Sequence, residues 1–344
     1  MLKSLKRVAL RASKASGIFA TVSRTPWRAH RLLILGYHGV SLADEHEWDP
    51  ALYMTPEQLG RRLELLARRR CTVLPLAEAL MRLFQGELPK RAVSITFDDG
   101  AHDFFSVGYP LLRPWGFPAT VFLTTYYCQK QLPVFDTAGS YILWKGRGKT
   151  LDGAGLVAGG GRFRLESNVE RDAVWERIQH FARQSGANAE DKDRLLEDLS
   201  ERLGVDYGDL RKRRLLHIMT PEEVRSLDAQ GVDFQLHTHR HRTPRDQESF
   251  RREILENRQS IAAVVGQACQ PRLFCYPSGD YDLRFLPWLR ELGVEAATTC
   301  DPGLASRSCD PLLLPRVVDH SSLTPVEWEG WLSGVSRWLP KRAC

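Results

Sequence analysis

The chain has 344 residues, of which 43% are hydrophobic and 26% are charged. A chain of this length and composition buries a large core, which excludes a disordered or collagen-like protein. The formal net charge is +6, but eight of the 48 bases lie in residues 1–31, which contain no acid. The other 40 bases face 42 acids, so the body of the protein is nearly neutral and does not favour a nucleic-acid partner.

The first 30 residues form a basic segment, which we call the N-terminal arm. Lys3, Lys6 and Lys14 recur at roughly helical spacing among apolar residues, which predicts an amphipathic helix. Arg11 and Lys14 interrupt any apolar run long enough for a secretory signal, and no run approaches the ~18 apolar residues of a membrane span. Two interpretations stay open, a solvated arm and a helix on an anionic membrane surface. We therefore expect a cytoplasmic protein, or one peripheral at the inner membrane face.

Apolar runs typical of β-strands alternate with helical patterns along most of the chain. The strand candidates are 31–35, 92–97, 119–123, 232–236, 273–276 and 294–298. Helix starts are predicted at Thr55, Thr220 and Thr324, because each is followed by Pro and, three positions after the Thr, by Glu or Gln. Strand followed by helix, repeated, predicts parallel strands joined by crossovers, and therefore an α/β barrel or a doubly wound sheet.

The stretch from about 133 to 217 breaks this alternation. A glycine-rich segment at 153–161 is followed by charged helical patterns. We predict an insertion on one face of a barrel, in which the glycine-rich segment is a flexible linker. A phosphate-binding loop is less favoured because no strand leads into the segment and no Lys-Ser/Thr pair follows it. The predicted organisation is an arm at 1–30 and a barrel at 31–335 that the insertion interrupts.

Three of the predicted strands are followed by residues that are costly to bury and useful in catalysis. These are Gly36-Tyr37-His38-Gly39 after the first strand, Asp98-Asp99-Gly100 after the second, and His237-Thr238-His239-Arg240-His241 after the fourth. Because the carboxyl ends of barrel strands share one face, we expect these three groups to converge there.

The aspartates and histidines of these groups fit a metal site. Asp98 and Asp99 repel each other unless a cation or a proton compensates, although Asp-Gly by itself is a common turn pair. His237 and His241, four residues apart, can share one face of a short helix or turn and bind a divalent ion together. One carboxylate and two imidazoles make the three-ligand set of a catalytic divalent ion, which leaves the second carboxylate as a base.

With these motifs the sequence resembles the NodB-like polysaccharide deacetylases, a family of metal-dependent carbohydrate esterases. The family's first motif, T-F-D-D-G, corresponds to residues 96–100, and its second, H-[ST]-x-x-H, corresponds to residues 237–241. The resemblance runs from about residue 31 to about residue 318, outside the arm and the insertion. It implies a distorted (β/α) barrel of the polysaccharide deacetylase type with a helical insertion.

The resemblance also implies roles for these residues. Asp98 would be the general base, while Asp99, His237 and His241 would hold a divalent metal ion, most often Zn²⁺. Thr238 would orient the loop that carries the two histidines.

The third family motif, R-P-P-Y-G, matches residues 275–279 in part, with Cys275 where the family often has an arginine that restrains the catalytic Asp. By resemblance, Arg316 would supply that charge from another strand. The backbone N–H of Ser278 would then donate to the oxyanion of the reaction, a role that does not depend on the side chain.

Two histidines are candidates for the general acid. The family's last motif, Leu-x-His near the C-terminus, is not evident in this chain. Family members that act on polymeric N-acetylglucosamine carry a Tyr-His pair after the first strand, and Tyr37-His38 is similar to it. The resemblance therefore assigns His38 as the general acid, with His320 as the alternative.

The expected function is hydrolysis of N-acetyl groups on amino sugars of a polysaccharide or glycan precursor. An O-acetyl esterase on a glycan is one alternative, because the same tetrahedral path serves an ester. A non-catalytic glycan-binding barrel is another, which the missing Leu-x-His motif and Cys275 would favour. We expect the insertion to cover the barrel mouth and to set the choice of glycan.

Overall fold

A computed structural model describes residues 2–266 and 270–339. Its strands are β1 Leu33–Tyr37, β2 Gly39–Val40, β3 Tyr53–Met54, β4 Thr72–Val73, β5 Ala92–Phe97, β6 Thr120–Leu123, β7 Thr150–Asp152, β8 Arg162–Arg164, β9 Asp233–Leu236, β10 Leu273–Cys275, β11 Ala296–Thr298 and β12 Val317–Val318. Its helices are α1 Leu2–Ala15, α2 Ile18–Ser23, α3 Pro26–Ala29, α4 Glu45–Trp48, α5 Pro56–Arg68, α6 Leu76–Gln85, α7 Tyr109–Leu112, α8 Tyr126–Lys130, α9 Phe135–Lys145, α10 Asn168–Gln184, α11 Ala189–Leu203, α12 Tyr207–Lys212, α13 Pro221–Asp228, α14 Gln247–Val265, α15 Phe285–Glu291 and α16 Pro325–Ser333.

The chain divides into two compact units. The first contains residues 1–125 and 221–344, and the second contains residues 126–220. The predicted insertion at about 133–217 lies inside the second unit. The first unit therefore holds the predicted strands and all the predicted site residues.

The first unit is built on a parallel sheet with the strand order β11-β10-β9-β6-β5-β1-β12, and β4 pairs with the start of β5. The strands β1, β5 and β6 are buried along their whole length, which explains their nearly continuous apolar sequences. A parallel bridge between Thr298 and Leu314 joins β11 to the segment that leads into β12. The two ends of the sheet are thereby connected, which confirms the predicted distorted (β/α) barrel.

Most predicted strands are confirmed to within two residues, and β5 has the predicted bounds. The first strand is displaced by two residues, to Leu33–Tyr37. Leu32 pairs with Ala305 in an antiparallel bridge, while Gly36 and Tyr37 continue the parallel ladder along β5. His38 therefore follows directly on the last residue of β1.

The predicted helix starts are also confirmed. Thr55 caps α5 and Thr324 caps α16, and each makes a capping box with the residue three positions later. The helix α13 begins at Pro221, directly after Thr220. These caps satisfy backbone N–H groups that the first turn of a helix leaves without partners.

The second unit is mainly helical. Gly139 on α9 lies against the Trp175 ring of α10, and a Cβ at this position would come within 2.0 Å of that ring. The glycine-rich segment 153–161 connects β7 and β8 in an antiparallel hairpin, and the Gly153 N–H donates to the Gly161 carbonyl at 2.7 Å. The expectation that no strand leads into this segment is wrong, because the two strands that flank it have three residues each and are too short for a visible alternation.

The N-terminal arm is folded against the first unit. Leu10 and Phe19 pack with Val335 in a small apolar cluster. Arg7 forms an ion pair with Glu327 at 3.2 Å, and Lys14 forms one with Glu329. Among the described residues, no helix is long and apolar enough to cross a bilayer.

Candidate active site

The three predicted groups converge at the carboxyl ends of β1, β5 and β9. Asp98 follows β5 directly, and its backbone N–H donates to the Tyr37 carbonyl of β1 at 2.8 Å. Its side chain is buried, and the Nε2 atom of His38 lies 3.4 Å from Oδ2. Parallel pairing of β1 with β5 thus brings the end of one strand against the end of the other.

Arg316 holds both oxygens of Asp98. Its Nη1 donates to Oδ1 at 2.7 Å and its Nη2 donates to Oδ2 at 2.5 Å, while Nε donates to the Thr299 carbonyl at 2.9 Å. The guanidinium passes beside Gly36 of β1, where a Cβ would lie 3.1–3.3 Å from it. This geometry fits the predicted role of Arg316, which restrains the carboxylate through two charge-assisted bonds.

The charge of Arg316 keeps Asp98 ionised. Burial by itself raises the pKa of Asp98, but the adjacent Arg316 guanidinium, together with His38 and His237, outweighs burial and holds the pKa below its usual range. The carboxylate is therefore available as a proton acceptor at neutral pH.

Asp99 points to a different part of the site. Its backbone adopts a left-handed conformation with φ of 65°, which turns the chain between two neighbouring carboxylates. Its Oδ1 lies 3.2 Å from Nε2 of His237 and 3.2 Å from Nε2 of His241. Burial raises the pKa of Asp99, but His241 and His237 outweigh it and hold the pKa well below its usual range.

The two histidines lie on an irregular loop after β9, not on a helix. Their ring centroids are 4.9 Å apart. Thr238 and His241 both have positive φ, and the Thr238 hydroxyl accepts a hydrogen bond from the N–H of Arg242 at 3.0 Å. This bond closes the loop.

The helix α14 anchors this loop through polar residues that the sequence analysis missed. Asn257 accepts a hydrogen bond from the His237 N–H at 2.9 Å and donates to the Leu123 carbonyl at 2.9 Å. Glu253 accepts from the Arg240 N–H at 2.8 Å and from Nε of Arg242 at 2.8 Å. A sequence signal exists for both, because Glu253 and Asn257 occupy the buried face of α14 beside its apolar residues.

Three donor atoms in this loop fit a divalent metal ion. The donor atoms of Asp99, His237 and His241 lie within 4.8 Å of one another. The Asp99 Oδ1 is buried and accepts no hydrogen bond within the part of the chain that the structure describes. The Nδ1–H of His237 donates to the Cys275 carbonyl at 2.8 Å, so its Nε2 is directed to the site. Two imidazoles and a carboxylate suit Zn²⁺ and similar ions.

A second group of possible ligands consists of Asp98, His237 and Cys275. Arg316 already occupies both oxygens of Asp98, and the Nδ1 atom of His237 is held by a backbone carbonyl. The Cys275 thiol donates to Asp98 Oδ2 at 3.7 Å. This group is therefore satisfied by protein contacts, and the first group is the better metal site.

The remaining predicted residues lie at the same end of the sheet. Ser278 belongs to the short 3₁₀ turn Pro277–Gly279 after β10, with a φ of 56° and an exposed side chain. His320 follows β12, which pairs with β1 through Gly36 and Val318. The histidine placed against Asp98 is His38.

The chain is similar to known proteins in sequence and in fold. The family model described as polysaccharide deacetylase matches residues 85–297. No curated protein matches the chain.

Similar solved structures include the deacetylase PplD of Streptococcus pyogenes in complex with acetate, with a TM-score of 0.56 and 17% identity over 87% of this chain and 96% of that one. IcaB from Ammonifex degensii has a TM-score of 0.53 and 15% identity over 88% and 97% of the two chains. A de-N-acetylase from Aggregatibacter actinomycetemcomitans has a TM-score of 0.52 and 13% identity over 88% and 99%. At these identities the likeness shows a shared fold.

Proposed function

The chain belongs to the polysaccharide deacetylase family, and from this premise we propose that it removes N-acetyl groups from amino sugars of a polysaccharide or glycan precursor with the help of a divalent metal ion. Membership of the family accounts for deacetylation of a polysaccharide. The metal dependence and the preference for N-acetyl groups are the further claims that this proposal makes.

One observation carries the proposal: two adjacent carboxylates contact different kinds of groups. Asp98 is paired with a guanidinium and touches a histidine, while Asp99 faces two imidazole nitrogens. Environments that separate two neighbouring acids in this way are typical of sites in which each acid has its own role. Asp98 is the base, and Asp99 is a ligand.

Asp99, His237 and His241 would hold the metal, for which Zn²⁺ is our first expectation. When bound, a divalent ion polarises a carbonyl oxygen and makes a nearby water more acidic. The hydrogen bond from His237 Nδ1 to the Cys275 carbonyl and the closed loop around Thr238 fix the donor atoms before any ion arrives.

Asp98 takes the proton of the attacking water. Its low pKa would make it a weak base, but a fixed position within hydrogen-bond reach of the water compensates for low basicity. Arg316 fixes that position because it holds both oxygens of the carboxylate. The backbone N–H of Ser278 would donate to the oxyanion that forms on the acetyl carbonyl.

His38 delivers a proton to the leaving group, and this role favours an amide substrate. An amine leaves an acetyl group only after its nitrogen is protonated, whereas an alkoxide is a much better leaving group. The His38 Nε2 lies 3.4 Å from Asp98 and the side chain is 17% exposed, so the ring reaches both the base and the open side of the site. An O-acetyl esterase would need this acid less.

Acetate release from chitooligosaccharides and from acetylxylan tests the proposal. We expect the chitooligosaccharide to be the better substrate. In His38→Ala, amide hydrolysis falls by about 10²–10⁴-fold, and ester hydrolysis falls by less. The matched control is His180→Ala, which removes an exposed histidine of the second unit and leaves both rates unchanged.

Equal loss of both activities in His38→Ala would exclude its role as the acid for an amine. A preference for acetylxylan would favour the O-acetyl esterase. A pure protein that contains no divalent metal and releases no acetate from either substrate would favour a glycan-binding barrel.

A further inference from the structure

A cleft of about 310 Å³ lies at the end of the sheet opposite to the candidate active site. Its lining includes Cys71, directly before β4, and Arg91, directly before β5. Asp98 follows the other end of β5. At about 3.3 Å per residue, the seven steps from Arg91 to Asp98 place the two ends roughly 20 Å apart. The cleft is therefore distinct from the catalytic residues.

Positive charge dominates the lining of the cleft. Five arginines and one acid line it: Arg24, Arg68, Arg69, Arg70, Arg91 and Glu329. The one acid already forms ion pairs with two bases, because Glu329 contacts both Arg69, at 2.9 Å, and Lys14 of the arm. Like charges so close together repel one another unless an anion lies between them.

A buried guanidinium lies beside this cleft. Arg28 is fully buried, and it donates from Nε to the Leu332 carbonyl at 3.0 Å and from Nη1 to the Arg31 carbonyl at 2.7 Å. Its Nη2 is buried and has no hydrogen-bond partner among residues 2–266 and 270–339.

Arg28 interacts electrostatically with two residues of the lining, Cys71 and Arg91. Burial first, and the charges of Arg91 and Arg31 after it, lower the pKa of Arg28 to about 10, so the group stays charged at neutral pH. A buried guanidinium nitrogen without a hydrogen bond is costly. An anion in the cleft would reduce that cost.

The arm presents an apolar face to solvent. Leu5 and Val8 are 68% and 61% exposed, and Ala12 and Ala15 are also exposed. These four residues are spaced by three or four positions and so share one face of α1. Two bases of α1, by contrast, turn toward acids of α16. The apolar face is thus directed outward, as in helices that lie in a membrane interface.

We propose that the arginine-lined cleft binds the phosphate groups of an anionic lipid surface and that the exposed face of α1 enters the same surface. The guanidinium fork matches the geometry of a phosphate and can bind it through two parallel hydrogen bonds. The apolar face favours a lipid over a soluble phosphate, because a soluble anion gives it nothing to contact. In this arrangement the catalytic end of β5 lies on the side away from the lipid.

Co-sedimentation with vesicles tests the lipid. Wild-type protein should bind vesicles of phosphatidylglycerol and phosphatidylcholine, bind pure phosphatidylcholine weakly, and dissociate as salt is raised. Arg24→Gln/Arg70→Gln removes two exposed bases of the cleft and should lower the partition coefficient on the order of 30-fold. Arg162→Gln/Arg164→Gln removes two exposed bases of β8 and should leave binding near the wild-type value.

A second pair of substitutions separates charge from apolar contact. Leu5→Gln/Val8→Gln keeps the net charge and should also weaken vesicle binding. The melting temperature of each variant without lipid should match that of the wild type, since all these side chains are exposed. If the Arg24→Gln/Arg70→Gln protein binds anionic vesicles as well as the β8 control does, the cleft is not a lipid site.

Inorganic pyrophosphate distinguishes the source of the phosphate. A ligand that binds only the folded protein raises its melting temperature. If pyrophosphate stabilises the wild type but not Arg24→Gln/Arg70→Gln, while vesicles do not bind, the cleft takes a soluble phosphate and the lipid proposal is wrong. If neither probe binds, the whole proposal is wrong.

Discussion

Asp98 and Asp99 are neighbours in the chain, yet different parts of the fold determine their surroundings. Around Asp98, which we call the strand side of the site, the contacts come from Arg316 and His38 beside the sheet. Around Asp99, the loop side, the contacts come from a histidine loop that is docked on α14. The strand side compensates its charge within the protein, whereas the loop side leaves a buried carboxylate oxygen without a hydrogen bond in the described chain. Packing alone thus gives two adjacent carboxylates different surroundings.

The largest expected effect lies on the loop side. Asp99→Asn keeps the size of the side chain but removes one of three donors, so we expect the metal to be lost and activity to fall to background. Elemental analysis and acetate release measure the two effects. The control is Asp103→Asn. Burial raises the pKa of Asp103 well above its usual range, and the amide oxygen of Asn can still accept the hydrogen bond that Asp103 Oδ1 accepts from the Val40 N–H at 3.1 Å. If Asp99→Asn keeps a full complement of metal, the loop side is not the metal site.

On the strand side, Arg316→Met should change the pH dependence of the reaction. Without the guanidinium, burial raises the pKa of Asp98, and the acidic limb of the pH–rate profile moves to higher pH. The pH dependence of the free energy of unfolding depends on the same carboxyl group. In the wild type the folded pKa of Asp98 lies below its unfolded value near 3.9, so its stabilising contribution is present above about pH 4 and is lost as pH falls further.

The control for Arg316→Met is Arg62→Met, which breaks another buried pair at 3.0 Å with Asp319. Each variant leaves a buried carboxylate without its guanidinium partner and should lose about 3–5 kcal/mol of stability. Only Arg316→Met should move the acidic limb. A milder variant, Arg316→Lys, keeps the charge if the methionine protein does not fold. An unshifted profile in folded Arg316→Met would mean that the ion pair does not control the base. Arg316→Lys replaces the two-point fork by a single ammonium and should move the limb by less.

A substitution on α14, the helix that supports the histidine loop, should have a smaller effect. Asn257→Ala removes the hydrogen bonds to the His237 N–H and the Leu123 carbonyl, and we expect a 10–100-fold loss of metal affinity. Activity at saturating metal should change much less, because the strand side is intact. Gln259→Ala removes an exposed residue of the same helix and serves as the control. Calorimetric titration of the metal-free protein with zinc measures the difference.

The sequence was most informative where a motif is contiguous and follows a strand. Asp98 and Asp99 stand at the end of β5, which has the predicted bounds. His237 and His241 follow β9, which has the predicted end. Barrel strands bring their carboxyl ends to one face, so topology alone predicted that these groups meet. The conformation of the histidine loop was not predictable, because two of its residues have positive φ, which side chains rarely favour.

The partners of these residues were harder to predict. The contact between Arg316 and Asp98 joins residues that are distant in the chain, and only the family resemblance suggested it. Asn257 and Glu253 were missed because their roles depend on how α14 docks. The short strands β4 and β12 have two residues each, too few for a periodic pattern.

The activity and metal content of one preparation of Asp98→Asn test the difference between the strand side and the loop side most directly. We expect a loss of about 10³-fold in kcat, because the amide cannot accept the proton, with metal retained at the wild-type ratio. Loss of metal together with activity would place Asp98 among the ligands and remove the difference between the strand side and the loop side. Retention of nearly full activity would contradict the assignment of Asp98 as the base.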